Sequence, residues 1–357
     1  MKTALIVAGG TGGHIFPGLA VAQALQQKGW SVQWAGGRGA LNSPSMEAKL
    51  VPRYGFTFNS IDFSGVRGKG LISLLRLPVN MLRACWQSIA VLRKVQPTVV
   101  VVFGGYISFP LGAVAKCLGK KLLVHEQNSV AGMANRLLAK IADRVATAFP
   151  DVLKDAHWVG NPLRSDFLTQ AQPEVRAASR TGPLNILVIG GSLGAKALND
   201  IVPLALARIP SGQRPLVTHQ SGHAHIEDLE KNYANAGVQA TVLPFIDDMA
   251  SAMSDADLIV CRAGASTVTE ITAIGSAALF VPFPSAVDDH QTVNAKFLSD
   301  RGAAWLLPQE LLTIDALSNL LQNTERSETI SRGHIAKKMQ KPHATEEIVN
   351  MCEELIR

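Results

Sequence analysis

The sequence predicts two doubly wound α/β domains in tandem. Short runs of aliphatic and β-branched residues alternate with helical patterns, twice over, along 357 residues. Several runs are continuously apolar, the mark of strands buried on both faces of a parallel sheet. Each half also opens the same way, with a strand, a glycine-rich turn and a helix. The first string is Leu5-Ile6-Val7-Ala8-Gly9-Gly10-Thr11-Gly12-Gly13-His14, and the second is Ile186-Leu187-Val188-Ile189-Gly190-Gly191-Ser192-Leu193-Gly194-Ala195.

The expected strands of the first half are 4–8, 31–35, 98–103, 121–125 and 144–147. Those of the second are 185–189, 216–220, 239–243, 257–261 and 277–281, with helices such as 17–27 and 197–207 between strands. The run ending in Val159-Gly160-Asn161-Pro162 marks the break, giving domains 1–163 and 164–341. A helical tail, 345–357, closes the chain.

A composition of 47% hydrophobic and 17% charged residues excludes disorder as the main state. Cys85, Cys117, Cys261 and Cys352 form no C-x-x-C pair, which fits a reducing compartment and argues against a zinc site or disulfide framework. The apolar run after Lys2 is too short for a signal peptide, and no stretch reaches the roughly 18 apolar residues of a membrane span. The expectation is a soluble or at most peripheral protein.

The net charge of +6 hides an asymmetry: residues 1–163 carry 18 Lys/Arg against 6 Asp/Glu, and residues 164–357 carry 16 against 22. No acid lies between Asp62 and Glu126, where nine Lys/Arg occur. Such a basic half faces a polyanion, an anionic membrane or an anionic substrate.

A glycine turn between strand and helix lets backbone N–H groups and the positive helix end approach a phosphate. Its plainer reading is a tight βα turn, but two in matching positions point to a ligand. NAD requires an acid at the end of the second strand, where the sequence reads Gln33-Trp34-Ala35-Gly36-Gly37-Arg38. A phosphate-binding P-loop fails too, since Gly65-Val66-Arg67-Gly68-Lys69-Gly70 has the wrong spacing and no hydroxyl. Further glycine turns lie at Gly104-Gly105-Tyr106 and at Gly264, the latter leading into a helix with Glu270 about one turn in. A carboxylate there can accept two hydrogen bonds from a ribose diol while the helix start takes a pyrophosphate. Asp255-Ala256-Asp257 reads as a helix end and not as a metal pair. His219, His223 and His225 read as strand-end and loop residues.

Together and in order, Gly9-Gly10-Thr11-Gly12-Gly13-His14, Ser64-Gly65-Val66-Arg67-Gly68-Lys69-Gly70, Gly104-Gly105-Tyr106, His125-Glu126-Gln127-Asn128, Gly160-Asn161-Pro162, Gly190-Gly191-Ser192 and Asp289-His290-Gln291 closely resemble the MurG family of bacterial transferases. The resemblance runs from residue 5 to about 303. It implies a GT-B fold, two Rossmann-like domains with a cleft between them, and a C-terminal helix from about 342 to 357 returning to the first domain. It implies an inverting transfer of N-acetylglucosamine (GlcNAc) from UDP-GlcNAc to lipid I, giving lipid II for peptidoglycan synthesis.

By that resemblance Ile246 matches the backbone position that reads uracil, and Glu270 the ribose-binding acid. Ser192, Ala265, Ser266, Thr267, Val268 and Thr269 match positions near the uridine and pyrophosphate, and Gln291 a contact to the GlcNAc hydroxyls. Thr11, Gly12, Gly13, Asn128 and Arg164 match further donor contacts. Tyr106 and Asn294 are assigned to the acceptor side. The catalytic candidates are His14 and Glu126. His14 opens the first helix, whose positive end favours a neutral imidazole able to accept a proton. Glu126 is a base only if desolvated. The chain departs from the family in a longer stretch at 37–45 and in Phe109, which stands where the family has glycine and is expected to narrow the acceptor pocket.

Glycine loops and helix ends with Arg164 offset the charge on departing UDP, so no metal or other cofactor is expected. Residues 69–94 interleave leucines and Trp86 with Lys and Arg, the pattern of a helix lying on anionic lipid. Lys69, Leu75, Arg76, Leu82, Arg83 and Trp86 are its expected membrane contacts, at the cytoplasmic face of the inner membrane. An amphipathic helix packed on its own sheet is the alternative. Nucleic acid is not an expected partner. The resemblance leaves room for association with other cell-wall synthesis proteins. Two other functions share the pattern: a UDP-sugar epimerase of the same fold, and a membrane scaffold that senses nucleotide sugar.

Overall fold

The computed structural model describes residues 2–40, 43–63, 76–178 and 180–357. Two compact units result: Met1–Arg164 with Lys341–Arg357, and Ser165–Gln340. Lys69, Leu75 and the Gly65–Gly70 glycine string lie outside the described residues.

The first unit holds a parallel sheet of seven strands: β1 (Thr3–Ala8), β2 (Ser31–Gly37), β3 (Thr57–Ile61), β4 (Val99–Gly104), β5 (Lys121–Glu126), β6 (Arg144–Thr147) and β7 (His157–Trp158). Their order is β3-β2-β1-β4-β5-β6-β7. β4 reads Val-Val-Val-Val-Phe-Gly and is buried throughout, because helices cover both faces. Successive side chains point to opposite faces. Ala4 and Ile6 therefore meet Ile15, Leu19 and Trp34, whereas Leu5 and Val7 meet Ala84, Leu92 and Leu111.

The C-terminal helix Ala344–Glu354 adds Ile348, Val349 and Cys352 to the core of this unit. Burial of such aliphatic side chains contributes about 1.5–3 kcal/mol each. The Lys28–Glu353 ion pair beside them, at 3.6 Å and half exposed on its lysine, belongs to a class worth about 1 kcal/mol at most. Packing, not charge, holds that helix.

The second unit repeats the plan with β8 (Asn185–Ile189), β9 (Leu216–Gln220), β10 (Thr241–Leu243), β11 (Leu258–Cys261), β12 (Ala277–Phe280) and β13 (Ala304–Leu306), all parallel. The order is β10-β9-β8-β11-β12-β13. In each sheet the first strand lies between the second and fourth, so the chain order reverses beside a glycine loop. That reversal is where open α/β sheets bind ligands, at the carboxyl ends of the strands.

Three strands, β3, β7 and β13, and the antiparallel ribbon Gly39–Ala40/Ser43–Pro44 go beyond the sequence expectation. The first helix also starts earlier than expected, at Gly12. Pro17 looks like a helix opening because its fixed φ and missing N–H suit a first turn. Yet His14 N and Ile15 N already donate to the Thr11 carbonyl, at 3.1 and 3.2 Å. The helix N-terminus thus lies inside the glycine loop.

Candidate active site

In the first unit, three chain segments meet at the carboxyl ends of β1, β4 and β5. The loop after β4 packs on the loop after β1 backbone to backbone. Gly9 N donates to Gly104 O at 3.2 Å, and a Cβ on Gly105 would lie 2.5 Å from Gly9 O. Gly104 has φ +130°, and a Cβ there would lie 2.8 Å from the His14 ring. Only glycine allows both the backbone angle and the approach. A Cβ on Gly10 would sit 3.8 Å from the Tyr106 hydroxyl, so Tyr106, still 55% exposed, lies beside the same loop.

His14 Nδ1 lies 3.1 Å from Gly9 O and 3.5 Å from Thr11 Oγ1. A carbonyl only accepts, so Nδ1 donates to it and a neutral imidazole keeps its lone pair on Nε2. Arg164 places its guanidinium 6.0 Å from the Phe16 ring, on the same helix as His14. Thr11, Gly12 and Gly13 are not buried.

Glu126 is buried, and both its oxygens accept hydrogen bonds. Asn128 N and Nδ2 reach Oε1 at 2.9 and 3.3 Å, while Gly132 N and Asn135 Nδ2 reach Oε2 at 3.1 and 2.9 Å. The carboxylate therefore ties down the loop after β5, including Asn128. Its neighbour His125 donates from Nε2 to Gly160 O at 2.9 Å and receives Gln127 Nε2 at 2.8 Å. Burial pushes the His125 pKa down to about 4, partly opposed by the Gly160 bond.

In the second unit, the loop after β8 is fitted against the turn after β9. A Cβ on Gly194 (φ +76°) would meet Ser221 O at 1.8 Å, and one on Gly222 would meet Leu193 O at 2.3 Å. Ser192 is exposed, and Gln220 Nε2 donates to Gly191 O at 3.0 Å. The helix Ala265–Ile274 starts after Gly264 with Ala265, Ser266 and Thr267 in its first turn and Glu270, half-buried, in the second. Thr269 Oγ1 is turned back onto the Ala265 and Ser266 carbonyls at 3.0 and 2.9 Å. Gln291 Oε1 accepts from Ala263 N at 3.2 Å and Phe283 N at 2.9 Å, holding two loops together. Among the described residues its Nε2 has no partner. Ile246 is buried.

Several expectations change. Asn294, expected on the acceptor side, has no exposed surface; its Nδ2 donates to Ala263 O at 3.1 Å and braces the turn before the helix. Val268 is fully buried, so its side chain belongs to the core and not to a ligand contact. Phe109 is half-buried and packs on one side against the core around Leu5 and Leu111. Asp257, of the Asp-x-Asp string, pairs with Arg180 at 2.9 Å and Arg326 at 3.1 Å. Burial alone would raise its pKa, but bonds from Arg326, Asn185 N and Arg180 hold it below the usual carboxylate range. His219 is buried against the Tyr233 hydroxyl at 2.9 Å, whereas His223 stacks on Phe245 at 6.0 Å. No such cluster able to hold a metal occurs among the described residues.

On the helix Leu77–Val95, Val79, Leu82 and Trp86 are 68%, 65% and 74% exposed on one face, while Ala84, Ser88 and Leu92 are buried. Arg76 precedes its first turn and Arg83 pairs with Asp62 at 2.9 Å. No described helix is long and apolar enough to cross a membrane.

Sequence reasoning missed Glu47, which is 2% exposed. Its Oε2 accepts from Gly10 N at 3.3 Å and its Oε1 from Gly37 N at 3.0 Å. Ser45 caps its helix by accepting from Ala48 N at 3.1 Å, and the Ser45 hydroxyl donates to Gly37 O at 2.6 Å. An acid shortly after a serine, in an otherwise acid-poor half, was the one signal available.

Two family models match the chain: the glycosyltransferase family 28 N-terminal domain over residues 4–147 and the C-terminal domain over 185–348. The chain is 64% identical to a UDP-N-acetylglucosamine–N-acetylmuramyl-(pentapeptide) pyrophosphoryl-undecaprenol N-acetylglucosamine transferase of Albidiferax ferrireducens, over 99% of this chain and 92% of that one. It is 63% identical to the enzyme of that name from Paracidovorax citrulli, over 99% and 98%. A crystal structure of Acinetobacter baumannii MurG superposes with a TM-score of 0.87 at 39% identity, covering 99% of this chain and all of that one. The kitacinnamycin glycosyltransferase, at 14% identity and a TM-score of 0.72, shares the fold. These likenesses and the paired parallel sheets make the fold GT-B, and the chain belongs to the MurG family of the family 28 glycosyltransferases.

Proposed function

We propose that this chain is the transferase that moves GlcNAc from UDP-GlcNAc to the C4 hydroxyl of N-acetylmuramyl in lipid I, giving lipid II and UDP with inversion at C1. The observation that carries the reading is 64% identity, over 99% of the chain, to a transferase of that name. The intact glycine loops and His14 supply the chemistry. His14 Nε2 takes the proton of the attacking hydroxyl while the C1–oxygen bond to UDP breaks. Glu126 is a positioning residue, since both oxygens already serve the loop after β5. The uridine is read by the Ile246 backbone and its ribose by Glu270, with Ser192 and the start of the helix Ala265–Ile274 at the pyrophosphate. Gln291 Nε2 is the donor available to the GlcNAc hydroxyls. Helix N–H groups and Arg164 balance the charge of departing UDP, so the reading calls for no metal.

The acceptor is lipid-linked, and the exposed Val79, Leu82 and Trp86 beside Arg76 fit contact with an anionic surface. The reading places the protein peripherally on the cytoplasmic face of the inner membrane. Its product serves cell-wall growth, shape and division. The test is radiolabelled UDP-GlcNAc with a lipid I analogue. Label in a lipid-linked disaccharide is the expected result. Release of free N-acetylmannosamine, or binding without turnover, would end the reading.

A further inference from the structure

Glu47 and His14 contact the same peptide group from its two sides. The Gly10 N–H donates to Glu47 Oε2 at 3.3 Å, and the carbonyl across that peptide bond, Gly9 O, is 3.1 Å from His14 Nδ1. The N–H and C=O of a trans peptide point in opposite directions, so carboxylate, peptide and imidazole form one line. A buried anion at the N–H end draws that hydrogen and leaves more negative charge on the carbonyl oxygen, strengthening its bond to Nδ1–H. The carboxylate itself is fixed by Gly37 N at 3.0 Å and by the close approach of Gly9, where a Cβ would lie 2.5 Å from Oε1.

We propose that Glu47 is a positioning residue for the transfer: through the Gly9–Gly10 peptide it holds His14 in the Nδ1–H tautomer and stabilises the imidazolium formed when Nε2 takes the acceptor proton. This rests on His14 being the base. Its role is that of the acid behind a catalytic histidine, with a peptide group inserted between the two. No proton passes through the peptide; the carboxylate acts by its field and by orientation.

The experiment uses the full chain and four variants, Glu47→Gln, Glu47→Asp, His14→Ala and the double variant Glu47→Gln/His14→Ala. Each is assayed with a soluble lipid I analogue and normalised to folded protein. Glu47→Gln keeps the shape, removes the charge and leaves one oxygen to accept from Gly10 N or Gly37 N. It is expected to lower kcat at least tenfold with KM for UDP-GlcNAc within twofold, and to move the acid limb of the kcat–pH profile to lower pH. Long-range proton–nitrogen spectra of the imidazole should show mixed tautomers where the parent shows Nδ1–H. In the His14→Ala background Glu47→Gln should cost no further activity, because the groups act as one. Equal losses in both backgrounds, or an unmoved pH profile, would overturn the relay and leave Glu47 a loop brace. Should Glu47→Gln fail to fold, Glu47→Asp is read in its place and a fifth variant, Glu47→Asp/His14→Ala, completes the comparison. A loss confined to the parental background supports the relay, and equal losses or none overturn it. Turnover of His14→Ala within threefold of the parent would instead end the base reading, and the relay with it.

Discussion

Glu270 and Asn294 lie on neighbouring elements of the second unit and have opposite surroundings. Glu270 is half-buried on the second turn of a helix whose start is open glycine backbone, and Asn294 is sealed beneath that start. Hydrogen bonds to a charged group contribute about 1.5–3 kcal/mol. Glu270→Ala is therefore expected to weaken UDP-GlcNAc binding by tenfold or more in calorimetry while the unfolding midpoint stays put; unchanged affinity removes it from the site. Asn294→Ala leaves Ala263 O without that bond, which costs about 1–3 kcal/mol in urea unfolding. A loss of affinity without loss of stability would mean that Asn294 meets ligand after all. The sequence distinguishes these two poorly, because both are polar residues at helical spacing and only packing says which one is covered. Glu47 was harder still. Its partner Gly10 is 37 residues away, and the serine two residues before it marks a helix start without saying where the carboxylate reaches.

Among elements, legibility follows burial. β1, β4 and β8 announce themselves as unbroken apolar runs because a parallel sheet is covered on both sides. β3, Thr-Phe-Asn-Ser-Ile, lies at the sheet edge, where Asn59 can bond Gln33 and Lys94, so its polar residues mask it. β7 is two exposed residues long and carries almost no pattern. The helix Leu77–Val95 was legible as amphipathic, and the structure adds which face is uncovered. Arg83 is paired with Asp62, so reversing its charge would also break that bridge. The apolar face is the cleaner probe. Leu82→Ser with Trp86→Ser removes side chains already 65% and 74% exposed, at a folding cost of about 0.5 kcal/mol each. Co-sedimentation with anionic vesicles should fall severalfold, with activity on a short soluble acceptor retained. Binding equal to the parent would show an ordinary solvated helix. Since each cation near an anionic surface contributes about 1 kcal/mol and is screened, parental binding should also weaken as salt rises.

At the scale of the whole molecule, each unit buries one neutral histidine. His125 in the first has its pKa lowered to about 4, chiefly by burial, and His219 in the second to about 3, again by burial. Unfolded, both titrate near 6.5, so below that pH the unfolded chain binds protons that the native state refuses. Stability is then full above pH 6.5 and falls on acidification until the native pKa is reached. For His125 that amounts to about 3 kcal/mol by pH 4. Hydrogen exchange resolved by segment, at pH 7.5 and 5.0, should show β4 and β8 both losing protection in acid. His219→Gln should flatten the response of β8 alone, and an unaltered slope there would refute the assignment. Chain order also sets an order of assembly. The second unit is one uninterrupted stretch of chain, but the first needs Ile348, Val349 and Cys352 to fill its core. During synthesis, then, the segment made first is the one that matures last: its hydrophobic face waits, open, until the helix Ala344–Glu354 has been made, while the segment made second can already have closed.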